Sequence, residues 1–161
     1  MTTPLDEQLE DLVVTKLLTI TTGAGYEQTV ANAYRASDVP APAEIPPADC
    51  PAVQVRRLEK RPRFHLRGAE EFLLLLDLVC VVDAAAADHD EAIQDLVNDV
   101  KKLVYANPRW NNGSADLAVR SWVSGETIHE AEVDEATRTG VVTVAIKARA
   151  DRTNLAAVKE I

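Results

Sequence analysis

The chain has no apolar run long enough to cross a bilayer. Its longest run, FLLLLDLVCVV at 72–82, is interrupted by Asp77, and a spanning helix needs ~20 apolar residues. Cysteine is scarce: Cys50 and Cys80 lie far apart with no ligand-type residues beside them. A disulfide framework is therefore not expected, and Cys80 reads as a buried thiol. Basic charge is in deficit, and the net charge of −9 argues against nonspecific binding to a nucleic-acid backbone. MTTPLDEQLEDL lacks the basic and apolar regions of a signal peptide, which points to an intracellular chain. There is no internal repeat, heptad run, P-loop or G-x-G-x-x-G, and VSGE around Ser124 is not the nucleophile elbow G-x-S-x-G. His65, His89 and His129 fall in three separate places with no evident acid–base partner. No catalytic residues are expected, and the chain reads as a non-enzyme. Aromatic residues make up only 4%, with Trp110 and Trp122 the only tryptophans. Core packing is the first role expected for both, and interface anchoring the alternative.

What is present suits one domain: 161 residues, 47% of them hydrophobic, can bury a core. A first helix is predicted from the apolar stripe Leu5, Leu9, Leu12, Val13, Leu17 and Ile20, with Thr3 as cap, Pro4 in the first turn, and Gly23 or Gly25 at its end. Residues 26–35 read as a short edge strand or an irregular link. Residues 38–51 hold five prolines, which excludes helix or central strand and predicts an extended surface connection. A strand at 52–58 and the long apolar strand then form a hairpin, with EKRPRFHLRGAE as an oversized basic tip. A second helix is predicted from Ile93, Leu96, Val97, Val100, Leu103 and Val104, started by a capping box of Asp88 and Glu91. Residues 117–128 and 141–150 read as strands. The expected fold is α+β: a mostly antiparallel sheet of four to five strands, two helices on one face, and a long basic β-hairpin arm. Residues 1–150 form the domain and 151–161 a tail.

Read with period two, the long strand is apolar on both faces apart from Asp77. Two helices cover only one of them. A subunit neighbour is the expected cover for the other, because large exposed apolar patches mark interfaces. The alternative is that the proline-rich segment and the tail fold over it.

The arm carries Arg56, Arg57, Lys60, Arg61, Arg63 and Arg67 against the single carboxylate Glu59. Its Phe64 and His65 could stack on bases, but the acidic remainder opposes nucleic acid. Docking onto an acidic protein surface is the favoured use. DHDE at 88–91 has the composition of a metal site, yet adjacent residues at a helix start do not converge on one point, and no metal is expected. His129 with Glu126, Glu130 and Glu132 reads as a solvated acidic loop.

The ordered set LEDLVVTKLLTI, GAGY, PAVQVRR, FLLLLDLVCVV, DEAIQDLVNDVKKLVYANP, WNNGSADLAV and GVVTVAIKARA resembles the tail terminator (tail completion, neck) proteins of long-tailed bacteriophages. The resemblance runs from about Leu5 to Asp151. It implies a structural virion protein, assembled in the host cytoplasm, that forms a hexameric ring on the tail tube. The ring would contact the tail tube protein and a head-side connector or adaptor, with genomic DNA passing through its lumen unbound. It implies no cofactor and no membrane. An acidic lumen would let DNA slide, and Asp95, Asp99, Glu126, Glu130 and Glu132 are the candidate lining or acidic docking residues. A head–tail connector or another minor tail protein is the neighbouring reading. A small cytoplasmic ligand-binding or regulatory domain is the unrelated one.

Overall fold

The computed structural model describes residues 3–38, 41–66, 68–130, 135–151 and 154–158, with the backbone alone described at 43, 63–66, 154 and 155. Helix α1 (Leu5–Leu17) is followed by β1 (Asn32–Arg35), β2 (Ala52–Leu66), β3 (Ala69–Asp83), α2 (His89–Ala106), β4 (Arg120–Ile128), β5 (Thr137–Asp151) and β6 (Asn154–Val158). The fold is α+β with two helices and a sheet that does not close. The strand order is β1-β2-β3-β5-β4, with β6 also on β5. β1 runs parallel to β2, and the other pairings are antiparallel. The sheet is thus mixed and has six strands, against the four to five expected.

The stripe Leu5, Leu9, Val13 and Leu17 of α1 and the stripe Ile93, Leu96, Val97 and Val100 of α2 are buried on one face of the sheet. There they meet Phe72, Leu74, Leu76, Leu78 and Cys80 of β3, and Val142, Val144 and Ile146 of β5. Period two on the strands and 3.6 on the helices place these side chains in one layer. The approach of α2 is closest at Gly140, where an added Cβ would stand 2.9 Å from Val97 Cγ2.

Asp88 stands at the start of α2 as expected, but neither helix start has the expected side-chain bond, and the first differs in its residue as well. Pro4, not Thr3, stands at the start of α1 with no side-chain cap, and Asp88 starts α2 without a side-chain bond to its amides. Each cap is optional where tertiary burial already holds the helix. α1 ends at Leu17, and the left-handed Gly25 (φ +93°) instead closes a 3₁₀ turn at Thr22–Ala24. After α2, Trp110 takes a left-handed φ of 48° and is fully buried, with its indole Nε1 donating to Ser121 Oγ at 3.0 Å. Burial of this large ring over-determines a backbone conformation that few residues adopt.

The supposed hairpin tip is strand. β2 runs to Leu66 and β3 starts at Ala69, with bulges that leave Leu58 and Arg63 unmatched. β3 then pairs with β5 along its whole length, from Ala69↔Asp151 to Asp83↔Thr137. The segment expected as a tail begins with the last residue of β5 and contributes β6. Gln8 Nε2 donates to Ala156 O at 2.8 Å, which ties β6 to α1.

The proline-rich segment covers part of the second sheet face. It makes 3₁₀ turns at Pro42–Glu44 and Pro47–Asp49, and Ile45 between them is 1% exposed. Ile45 packs on Ala52, Val79 and Val81, with Tyr34 and Val141 alongside. The alternative cover named above thus holds for this end of the face. Further along, Leu58 is 55% exposed and Trp122 half-buried.

Candidate functional site

The arm residues divide by sheet face. Arg57 and Lys60 point to the helix layer and are used inside the subunit, which corrects their expected role in docking. Arg57 sits 2.8 Å from Asp6 Oδ2 and 2.6 Å from Glu10 Oε2. Burial alone would lower the guanidinium pKa, and the Glu10 and Asp6 carboxylates more than offset it, so the pKa ends above its ordinary value. Lys60 is 3.7 Å from Asp6 and 4.7 Å above the centre of the Phe72 ring. Sequence reading missed their companion Arg35, which bonds Glu10 at 3.0 Å and Asp11 at 3.1 Å.

Arg56 and Arg61 stand on the opposite face. Arg56 is exposed beside Asp77, whose carboxylate accepts from Thr143 Oγ1 at 2.7 Å. Arg61 is 57% exposed and bonds Glu59 at 2.9 Å across its own strand. Glu59 is held below, and Arg61 above, its ordinary pKa by this mutual hydrogen bond. Arg63, Phe64 and His65 lie on β2, with His65 opposite Glu70; their side chains, and Arg67 entirely, lie outside the described residues. On the same face Glu71, 1% exposed, is gripped by Lys147 at 3.3 Å and Arg149 at 3.0 Å. The period-two phase of β3 and β5 would have found this trio.

The acidic candidates do not act together. Asp99 is 3% exposed and accepts the backbone N–H of Glu27 at 3.1 Å and of Gln28 at 2.8 Å. It therefore cannot line a channel; it fastens the link after α1 onto α2. Asp99 and burial together raise the Tyr26 phenol above its usual pKa, burial most, while Lys102 caps that ring at 4.9 Å. Asp95 is half-buried on α2, Glu126 is exposed and bonds Lys101 at 3.1 Å, and Glu130 is exposed. Glu132 lies outside the described residues. His89 of the DHDE stretch faces Arg138 at 3.2 Å, and Asp90 pairs with that same guanidinium. Among the described residues no three His, Cys, Asp or Glu side chains form a metal-holding group.

Both cysteines are free thiols. Burial pushes Cys50 up to about 11, with Asp83 and Asp49 adding to it. Burial also raises Cys80, which is fully enclosed. Trp110 belongs to the core, whereas Trp122 lies on the partly uncovered face with Arg120 stacked 5.1 Å from its ring. No helix among the described residues is long and apolar enough to cross a membrane. No family model matches the chain, and no curated protein matches it.

Proposed function

We propose that the chain is a structural virion protein, a tail terminator: one subunit of a hexameric ring that caps the tail tube and joins it to the head-side connector. The observation that carries the reading is a long basic hairpin lying beside a sheet face that helices leave uncovered. α1 and α2 pack on one face, the proline-rich turns cover one end of the other, and Leu58, Arg56 and Arg61 remain solvent-facing. A closing ring requires each subunit to present two different surfaces that fit one another. A basic sheet edge on a body of opposite charge supplies them. Exposed carboxylates such as Glu126 and Glu130 suit a lumen that must not hold DNA, since like charges repel. In this role the protein works by shape and charge, without turnover, cofactor or membrane.

The test is to add the purified chain to polymerising tail tube protein and measure tube length by electron microscopy. Capped tubes of reduced length support the terminator role. Tubes that grow unchanged, with the chain instead bound to portal or adaptor rings, make it a head–tail connector.

A further inference from the structure

The outer edge of β2 changes character along its length. β1 pairs only with Ala52 to Val55. From Arg56 to Leu66, no described strand lies on that side. Arg57 and Lys60 of this stretch are engaged with Asp6 and Glu10, which leaves Arg56 and Arg61 facing solvent, with Arg63 next in the sequence. An open strand edge offers unpaired N–H and C=O groups to any extended partner. The two bulges and Pro62 restrict which partner can pair with it.

A groove of about 720 Å³ lies at the opposite edge of the sheet. Gln8 of α1, the 112–117 loop and β6 form it, with the acidic residues Asp116 and Asp151 in its lining. The loop is held in shape before any partner arrives. Asn112 Oδ1 accepts the N–H of Ser114 and of Ala115, both at 2.9 Å, and Asn111 Nδ2 bonds Asp116 Oδ1 at 2.9 Å. Arg109 approaches Asp116 only at 3.8 Å and is largely exposed. A preordered loop loses little entropy on binding.

The two features sit at one height along the strands. Leu66 pairs with Ala69, Ala69 with Asp151, and Asp151 with Asn154. β3 and β5 lie between the features, so the hairpin cannot reach the groove of its own chain. A second copy displaced sideways with its strand direction kept brings the basic edge against the acidic groove. We propose that the groove beside β6 receives the basic outer edge of β2 from a neighbouring copy, as the subunit contact of the ring; this rests on the ring-subunit reading above. The contact joins two different surfaces, so it repeats head to tail, and it closes into a ring when the rotation between neighbours divides a full turn. Opposite charge sets its register and speeds encounter.

The experiment is light scattering over a dilution series with two variants. Ser114→Arg adds a cation to the groove at an exposed position whose hydroxyl makes no bond among the described residues. Arg61→Glu/Arg63→Glu reverses the edge. Each alone is expected to weaken self-association about tenfold or more, and an equimolar mixture is expected to recover it, because in an alternating assembly every edge then meets a groove of opposite charge. Ser114→Glu, which keeps the sign of the groove, is expected to associate as the unaltered chain does. Thermal melting checks that every variant folds. An unaltered chain that is monomeric at every concentration, variants that associate normally, or a mixture that fails to recover overturns the contact. Tube capping that survives both variants removes this contact and leaves the terminator reading. Intact, variant-sensitive association without capping removes the terminator reading and leaves the contact.

Discussion

The Glu10 carboxylate of α1 lies 2.6 Å from the Arg57 guanidinium of β2 and also holds Arg35 of β1 at 3.0 Å. One buried acid thus ties the first helix to two strands. Both arginines keep partial contact with water, so the effect falls below that of a fully enclosed pair. Glu10→Ala should lower stability by about 2 kcal/mol in urea unfolding, and Asp11→Ala, at the exposed end of the same network, by well under half of that. Equal losses would contradict the central place given to Glu10.

Asp99→Ala should cost about 2–3 kcal/mol, because it strands the Glu27 and Gln28 amides that the carboxylate accepts. Native-state hydrogen exchange gives the sharper readout. Those two amides should lose protection before the centre of β3 does. Unchanged exchange at both would mean that the carboxylate does not hold the link.

Gly140→Ala probes the seat of α2. The new methyl would meet Val97 Cγ2 at 2.9 Å, and both Ile93 Cγ1 and Thr127 O at 3.4 Å. A loss of about 1–3 kcal/mol is expected from overpacking. Adding Val97→Ala should recover part of it, since that side chain is the nearest obstacle. A lack of coupling between the two changes would move the contact elsewhere.

Cys50 predicts an alkaline response. Its thiol is raised from 9.0 to about 11 in the folded chain, so the fold favours the neutral form. That contribution is fully present below pH 9.0 and is lost as pH rises toward about 11, where the unfolded chain ionises first. Cys50→Ala should therefore flatten the fall in stability across this window. At pH 8 the thiol should react with iodoacetamide about tenfold or more slowly than a free cysteine. Reaction at the ordinary rate would contradict the shift.

Part of the architecture is legible in one dimension. The stripes Leu5–Leu9–Val13–Leu17 and Ile93–Val97–Val100 announce two helices by spacing alone, and the two apolar phases of residues 72–82 announce a central strand, because period and burial are local properties of a chain. Even the edge position of β1 is readable, since its alternation is weak. EKRPRFHLRG misleads for a physical reason: charged residues suit a loop by composition, yet a strand whose neighbour is already set can carry them on its outer edge. Asp99 misleads likewise, because a carboxylate on the wet side of a helical wheel becomes buried once a loop lays two amides on it.

The sequence by itself determined the number of helices, the long central strand, the proline-rich surface connection and the separation of a basic stretch from an acidic body. Only the tertiary structure decided which cations stay available. Arg57 and Lys60 close on Asp6 and Glu10, while Arg56 and Arg61 face water. The bulge at Leu58 and the side on which α1 packs assign those faces. Both depend on contacts between residues some fifty positions apart in the chain, beyond the reach of any local pattern.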